Sequence, residues 1–586
     1  MHVFRTGVRI ANKYAPGVRH NPAAFRSPEV EQGGPTCGKI GRVEILTLMG
    51  VLAGSLVLTA IARRCNLSAP LLVVVVALGV ALIPGVPRLE LEPELILSLV
   101  LPPLLYSTSL ESSLTHFKRA LRPIVALGVV LVAVTAVVVA VVVHLLLPDV
   151  PFASALVLGA VVAPPDAVTA VAIGRKLGLP RRVMTVLTGE SLVNDAAALT
   201  LYKVALAAVA GTAGSAGHGF AVFGVATVLG IGVGLAIGAL VVLIRRQLDD
   251  PLMESAFGII VPFAAYVTAE HLHPFSEDFS GSGVLAVVAA GLLLGHRTLY
   301  ASPATRMQDS SVWASIDVLL EALVFALMGL QLPFVLDEAQ HAARDNRTLV
   351  LVAVAVLAVT MLVRIPAVFT SAYLPQTVRL FGRDREAPSW RTLAVVSWTG
   401  MRGVVTLAAA AGVPANTPGR AEIQLFAFTV AIGTVLIQGL TLPPLIRVLK
   451  VEDPSEAARD EEEELAAREV AKKAAQERLR EISHERLAAL DLPQEKVDRL
   501  KERLQRLIDM RYRFAKAAIT LSGEEHSGSP QAQFAKARRE LLITQRKAMI
   551  EENRAGRLDD EVLRKVLREL DLEEMSVSAT LTNRMS

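Results

Sequence analysis

Cysteine is almost missing from this 586-residue chain: Cys37 and Cys65 are the only two, so no disulfide framework can hold it together. Aromatic residues are scarce at 5 %, and charged residues reach only 19 %, against about a quarter in soluble domains. The charge is also unevenly placed. Residues 451–586 hold 26 Lys+Arg and 29 Asp+Glu, leaving 59 of the 114 charged side chains for the first 450 residues. That is too few to solvate a globular domain of such length, which argues against a soluble enzyme. Residues 1–43 hold Arg, Pro and His but no apolar core region, so no secretory signal is expected and a retained span leads insertion. Familiar chemical motifs are missing too: no phosphate loop, no Cys/His metal spacing and no Gly-x-Ser-x-Gly elbow. The run GIGVGLAIG at 230–238 lies in an uncharged stretch with no preceding strand, and reads as close helix packing rather than a dinucleotide loop. Neither an enzyme nor a cofactor is expected.

What the chain does contain is apolar sequence. Mean hydropathy is +0.48 and 52 % of residues are hydrophobic. Uncharged runs near 45–62, 70–84, 93–110, 123–147, 152–173, 183–211, 220–244, 252–269, 279–295, 311–335, 348–372, 391–413 and 422–446 suit a hydrocarbon core crossed by ~20 residues each. The fold class expected is an all-α polytopic membrane protein with about thirteen transmembrane helices and a helical tail. Three regions follow: an N-terminal segment 1–43, expected to be poorly ordered, a membrane domain 44–450, and a charged tail 451–586. The short loops after odd-numbered spans carry the basic residues, among them Arg63, Arg64, Lys118, Arg175, Lys176, Arg245, Arg246, Arg379 and Arg447. That bias places those loops and the tail in the cytoplasm and the N-terminus outside, with Cys37 and Cys65 on opposite faces. The basic N-terminal segment (Arg5, Arg9, Lys13, Arg19, Arg26, Lys39, Arg42) runs against this; later spans override it, or part of it is removed. The net charge of +4 belongs to loops facing lipid headgroups, not to a nucleic-acid partner. The tail's mixed charges read first as a solvated helical appendage, with regulation or dimerisation as the other reading.

Ionisable side chains inside hydrocarbon cost roughly 2.5–3.5 kcal/mol on insertion scales, so those that persist are candidates for function. Asp166 lies in VLGAVVAPPDAVTAVAI, directly after Pro164-Pro165. Two prolines remove two backbone donors and free carbonyls one turn back. A helix broken beside a carboxylate can offer carbonyl and carboxylate oxygens to a cation; the plainer reading is a Pro kink with Asp166 capping the second half-helix. The next span carries TGESLVNDAAALTLY. Glu190 and Asn194 share one helix face, and Ser191 and Asp195 the adjacent one. Those residues suit hard-oxygen coordination of an alkali cation, with one carboxylate left for a partner; helix–helix polar contacts are the alternative. Two cations could pair with these acids: Arg364 in LAVTMLVRIPAVFTSAY, and Arg402, bracketed by Gly400 and Gly403 in SWTGMRGVVTLAAA, which suggests a second break. Either arginine could instead reach an interface. Asp317 and Glu321, one turn apart near the start of the tenth span, read as interface anchors. Glu254 and Glu270 fall at span ends, and His144 at an outer boundary receives no role.

The blocks LPPLLY (101–106), VAPPDAVTAVAIGRKLGLP (162–180), TGESLVNDAAALTLY (188–202), SGVLAVVAAGLLLG (282–295), ALVFALMGLQL (322–332) and SWTGMRGVVTLAAA (397–410) resemble, in their order, bacterial sodium/proton antiporters of the monovalent cation:proton antiporter-1 family. The resemblance covers most of 45–447, and its most specific element is the Asn-Asp block with an aspartate 29 residues upstream. It implies inverted repeats, two crossed broken helices in a core domain that moves against a dimerisation domain, a homodimer, and a bacterial plasma membrane. By motif it makes Asp195 the ion- and proton-binding carboxylate, with Asp166 and Ser191 completing Na+ coordination. It also makes Asn194 a support of the crossed helices, pairs Glu190 with Arg364, and has Arg402 offset helix-end charge. The chain departs from the pattern at Pro164-Pro165, where many members have Thr before the aspartate; a backbone ligand survives as the Pro165 carbonyl, but a hydroxyl ligand does not.

Low dielectric penalises a charged carboxylate, so a proton and a cation compete for it. If only loaded forms cross between inward- and outward-facing states, exchange follows without a covalent step. The neutral Asn194 avoids a second titratable group, so the expectation is electroneutral Na+ (or Li+)/H+ antiport serving pH homeostasis. K+/H+ exchange at the same site is the first alternative, and a cation channel or sensor the second.

Overall fold

Within hydrocarbon a backbone amide has no water to bond, so an apolar run must satisfy its own hydrogen bonds as a helix. The computed structural model describes residues 42–65, 67–84, 86, 96–211, 216–248, 250–274, 279–298, 301–341, 345–377, 389–451, 454–482, 494–520, 530–555 and a few positions between 563 and 570. All regular structure among the described residues is helical. The N-terminal segment and Cys37 lie outside them, apart from the first residues of α1; Cys65 is exposed.

The helices are α1 (Arg42–Arg64), α2 (Ala69–Ala81), α3 (Leu101–Glu111), α4 (Leu114–Arg119), α5 (Leu121–Leu146), α6 (Phe152–Val162), α7 (Ala167–Lys176), α8 (Arg181–Val209), α9 (Ala216–Arg245), α10 (Pro251–His271), α11 (Gly283–Thr298), α12 (Pro303–Leu330), α13 (Leu332–His341), α14 (Asn346–Thr377), α15 (Trp390–Trp398), α16 (Val404–Ala411) and α17 (Arg420–Leu449). In the tail follow α18 (Pro454–Ile482), α19 (Gln494–Thr520) and α20 (Pro530–Arg554). Among the described residues, eight helical stretches are long and apolar enough to cross a membrane, with α2, α6 and α11 shorter apolar helices beside them. Within the described residues, each apolar run read from the sequence coincides with a helix or a pair of helices. The tenth differs in extent: α12 starts at Pro303, behind a Ser302 side-chain cap on Thr305 N, rather than near 311.

Two runs are broken. Pro164 and Pro165 cannot donate, and the chain leaves helical geometry between α6 and α7; Asp166 restarts it, its Oδ1 accepting from Val168 N at 2.9 Å. The second break, Thr399–Gly403, separates α15 from α16. α5 contains a π-helical turn, Ala126–Val130, where Gly128 presses against the Glu190–Asn194 stretch of α8. Such turns re-aim a helix and recur at functional sites.

Packing sorts the helices into two sets. In one, α5, α6 and α8 pack together, and α14, α16 and α17 close around them. In the other, α9, α10 and α11 pack on α3, while α12 packs on α1 and α2. Small residues bring the backbones close, as membrane helices need. A Cβ on Gly159 would run into the Ala136 backbone, and one on Gly234 into that of Ala286, so the 230–238 glycine run is a packing surface. Arg175–Glu111 at 3.1 Å and Lys203–Glu270 at 2.7 Å join the two sets. In the tail, α18 packs against α19: Lys472 bonds Asp509 at 3.0 Å and lies over the Tyr512 ring. That hydrogen bond holds the Asp509 carboxyl below the usual carboxylate range.

Candidate ion-binding site

The two helix breaks meet. Asp166 N donates to Met401 O at 2.6 Å, so the non-helical backbone of each break supplies a partner for the other. Around this crossing, side chains satisfy what the half-helices leave open. Asn194 Nδ2 donates to Pro165 O at 2.5 Å. Arg402 Nε donates to Val162 O at the end of α6 (2.7 Å), and its Nη1 to Gly400 O (3.0 Å). Thr434 Oγ1 of α17 accepts from Arg402 N at 2.9 Å. Arg364 Nε donates to Val396 O near the end of α15 at 3.1 Å. The C-terminal ends of α6 and α15, which carry partial negative charge, thus each receive an arginine. The N-terminal end of α7 receives the Asp166 carboxylate, which also lies against the start of α16 at Gly403. Charge and dipole agree at all three ends.

Arg364 is fully engaged. Its guanidinium forks onto Glu190 at 2.5 and 2.8 Å, and both side chains are 2 % exposed. The arginine therefore does not reach an interface. Arg402, also 2 % exposed, is spent on carbonyls. Neither cation is available to Asp166 or Asp195, and among the described residues neither carboxylate has a basic partner.

A cavity of about 80 Å³ opens beside the crossing, room for several waters where one requires ~10–15 Å³. Asp166, Asp195 and Ser191 all line it, with Pro164 and Gly403, against an apolar wall that includes Leu101, Leu105 and Phe325. The helical register explains the division of labour on α8. Ser191 and Asp195 share the face that looks into the cavity, whereas Glu190 and Asn194, one position earlier in each turn, look toward Arg364 and Pro165. The carbonyl of Pro165 already accepts from Asn194, leaving it one lone pair. The donors facing the cavity are hard oxygens, the type that suits an alkali cation.

Two features escaped the sequence. Asp317 and Glu321, read as interface anchors, make contacts that the sequence did not reveal. Asp317 accepts from Ser107 of α3 at 2.5 Å, and Glu321 lines the cavity. Thr406, in the first turn of α16, lines it too. The glycine at 403 was read as a break; its closeness to the carboxylate has no local signature. A Cβ there would overlap Asp166 Oδ2, although the backbone is extended and open to any residue. Gly403→Ala is therefore expected to fold but to displace Asp166, raising the half-saturating cation concentration about tenfold, the scale of one disturbed charged contact. Transport kinetics over a cation series check this; an unchanged half-saturation would show that Asp166 can move aside without consequence.

A family model described as sodium/hydrogen exchanger, transmembrane, matches residues 51–448. The Na(+)/H(+) exchanger Rv2287 of Mycobacterium tuberculosis is 31 % identical over 566 residues, covering 93 % of this chain and 98 % of its own. The Na(+)/H(+) antiporter ApNhaP of Aphanothece halophytica is 30 % identical over 382 residues, 65 % of this chain and 69 % of its own. The sodium proton antiporter MjNhaP1 of Methanocaldococcus jannaschii, solved at pH 8, has a similar fold: TM-score 0.51 at 17 % identity, over 70 % of this chain and 98 % of that one.

Proposed function

The chain belongs to the sodium/hydrogen exchanger family, and from that premise we propose that it is a multi-pass antiporter exchanging Na+ or Li+ for H+ at Asp195. One observation carries this reading above the others. Two carboxylates line a cavity inside the helix bundle, and among the described residues no basic side chain neutralises either, while two arginines nearby are held by other groups. A buried carboxylate must be neutralised by something, and here a proton or a metal cation has to do it. Asp166 already has an amide donor, Val168 N, at the start of α7, which suits a standing anion. Among the described residues no amide donates to the Asp195 carboxyl, so it is the group on which H+ and cation alternate. Ser191 completes the coordination on the cavity wall, while the Pro165 carbonyl, which is not part of that wall, is held by Asn194, which supports the crossing.

Alternation needs the two helix sets to shift against each other. The ion pairs that join them are exposed by half or more on at least one side, and such pairs contribute about 0–1 kcal/mol, so they can break and re-form during a cycle. The neutral Asn194 beside Asp195 leaves one exchanging carboxyl, hence one proton per monovalent cation. We place the protein in a bacterial cell membrane as a homodimer, with the tail in the cytoplasm.

The test is proton movement in inverted vesicles on adding Na+, Li+ or K+, with the membrane potential free and then collapsed. Na+ and Li+ are expected to drive proton movement equally well in both conditions. A response to K+ alone would transfer the assignment to K+/H+ exchange. Cation flux with no accompanying proton movement would mark a channel and end the antiport reading.

A further inference from the structure

The cavity has a second oxygen-bearing wall. Thr406 is 1 % exposed, its Oγ1 has no hydrogen-bond partner, and it lines the cavity. A buried hydroxyl left unpaired is costly, and one facing an open space marks a place for water or a cation. Facing the same space is Glu321 of α12, the helix that packs against α16. Among the described residues Glu321 has no hydrogen bond or ion pair. The charged groups around it are Asp317 one turn back, Asp166 at the helix break, and Arg175 and Arg63 at the ends of α7 and α1. Glu111 and Arg175 flank Asp317 in turn. The last two name the direction. α7 packs on α17, and Arg175 in its last turn begins the basic loop that the charge bias assigns to the face from which the tail leaves; Leu177 and Leu179 there join the apolar cluster that takes in Ile446, Leu449 and Val451 at the end of α17. Asp317 is tied to α3 through Ser107, which holds this stretch of α12 against the cavity wall.

We propose that Glu321 and Thr406 form a second monovalent-cation station, on the tail side of the cavity, which holds a partly hydrated ion before Asp166 and Asp195 take it. The inference rests on the exchange reading above but names residues and a side that it does not. One carboxylate and one hydroxyl are a weak set for a bare ion and an adequate one for an ion that keeps several waters. A loose site in the path lets an ion arrive already partly desolvated, without trapping it. Asp317 behind Glu321 adds negative potential and no direct ligand.

The experiment measures half-saturating Na+ for proton movement, with Na+ offered from the tail face and, separately, from the opposite face. Glu321→Gln and Thr406→Val are each expected to raise the tail-face value about fivefold or more, leaving the opposite-face value and the maximal rate within about twofold. Glu321→Asp and Thr406→Ser should recover most of the loss, which a merely structural role would not predict. If Glu321→Gln does not assemble, Thr406→Val and Glu321→Asp carry the comparison. Parent-like tail-face values in both Glu321→Gln and Thr406→Val, or equal losses from both faces, would overturn the station while leaving Na+/H+ exchange intact. A parent chain that shows no cation-evoked proton movement at all would defeat the exchange reading and this one with it.

Discussion

Asp195→Asn is expected to reduce cation-evoked proton movement to background at every pH, while Asp166→Asn keeps a slow, coupled response that needs far more cation. The contrast follows from where the two carboxylates sit. Asn is isosteric with Asp and caps a helix about as well, so Asp166→Asn retains the bond to Val168 N and removes only charge. What is lost is one charged contact to the ion, worth on the order of 1.5–3 kcal/mol, or roughly ten- to a hundredfold in affinity. At Asp195 the same exchange of atoms removes the charge and the titrating oxygen together. Asp195 is the carboxylate that α8 contributes to the cavity wall, so the proposed site of coupling is lost with it. Normal folding of both variants, checked by size-exclusion profile, makes the comparison clean. Coupled exchange that survives in Asp195→Asn would move the titrating group elsewhere, with Asp166 and Glu321 the cavity-lining acids left to examine.

How far the sequence could be read depends on the range of the interaction. Hydropathy located the helices because an apolar run in lipid has one solution, and the breaks showed because Pro164-Pro165 and Gly400 to Gly403 are local chemical facts. The two faces of α8 followed from helical period alone. Pairing between distant residues did not. Glu190 and Arg364 lie 174 positions apart, and their contact was an expectation taken from family resemblance, not from spacing. The bond from Asp166 N to Met401 O joins two backbones, and no side-chain pattern encodes it. The contacts of Asp317 and Glu321 went unread for a definite reason. With a helix start near 311 both fall close to a membrane edge, whereas from Pro303 they sit well inside α12. The Ser302-Pro303 start, with Thr305 three residues after the cap, was the available signal. Thr406 offered none, since a threonine in an apolar helix usually bonds back to its own preceding turn, as Thr200, Thr360 and Thr434 do here.

Removing either half of the Glu190–Arg364 pair is expected to cost more stability than any substitution that faces the cavity. Both groups are 2 % exposed, and a buried ion left without its partner costs about 3–5 kcal/mol. The two halves are not equivalent. Glu190→Gln leaves Arg364 with its Val396 carbonyl; Arg364→Gln leaves a bare carboxylate and also strips that carbonyl of its charged donor, leaving it the Thr399 hydroxyl. Arg364→Gln should therefore be the more damaging, and Arg364→Lys should rescue little, because an ammonium cannot fork onto both carboxylate oxygens and reach Val396 O as well. The double variant Glu190→Gln/Arg364→Gln removes both charges at once, so its loss should be clearly smaller than the sum of the single losses. Thermal unfolding of the detergent-purified proteins measures all four against the parent. Strict additivity would mean that the pair is not held together in the folded protein. The crossing would then rest on Arg402, Asn194 and the backbone bond from Asp166 N to Met401 O, and the placement of Asp195 next to Asp166 would lose a lateral brace.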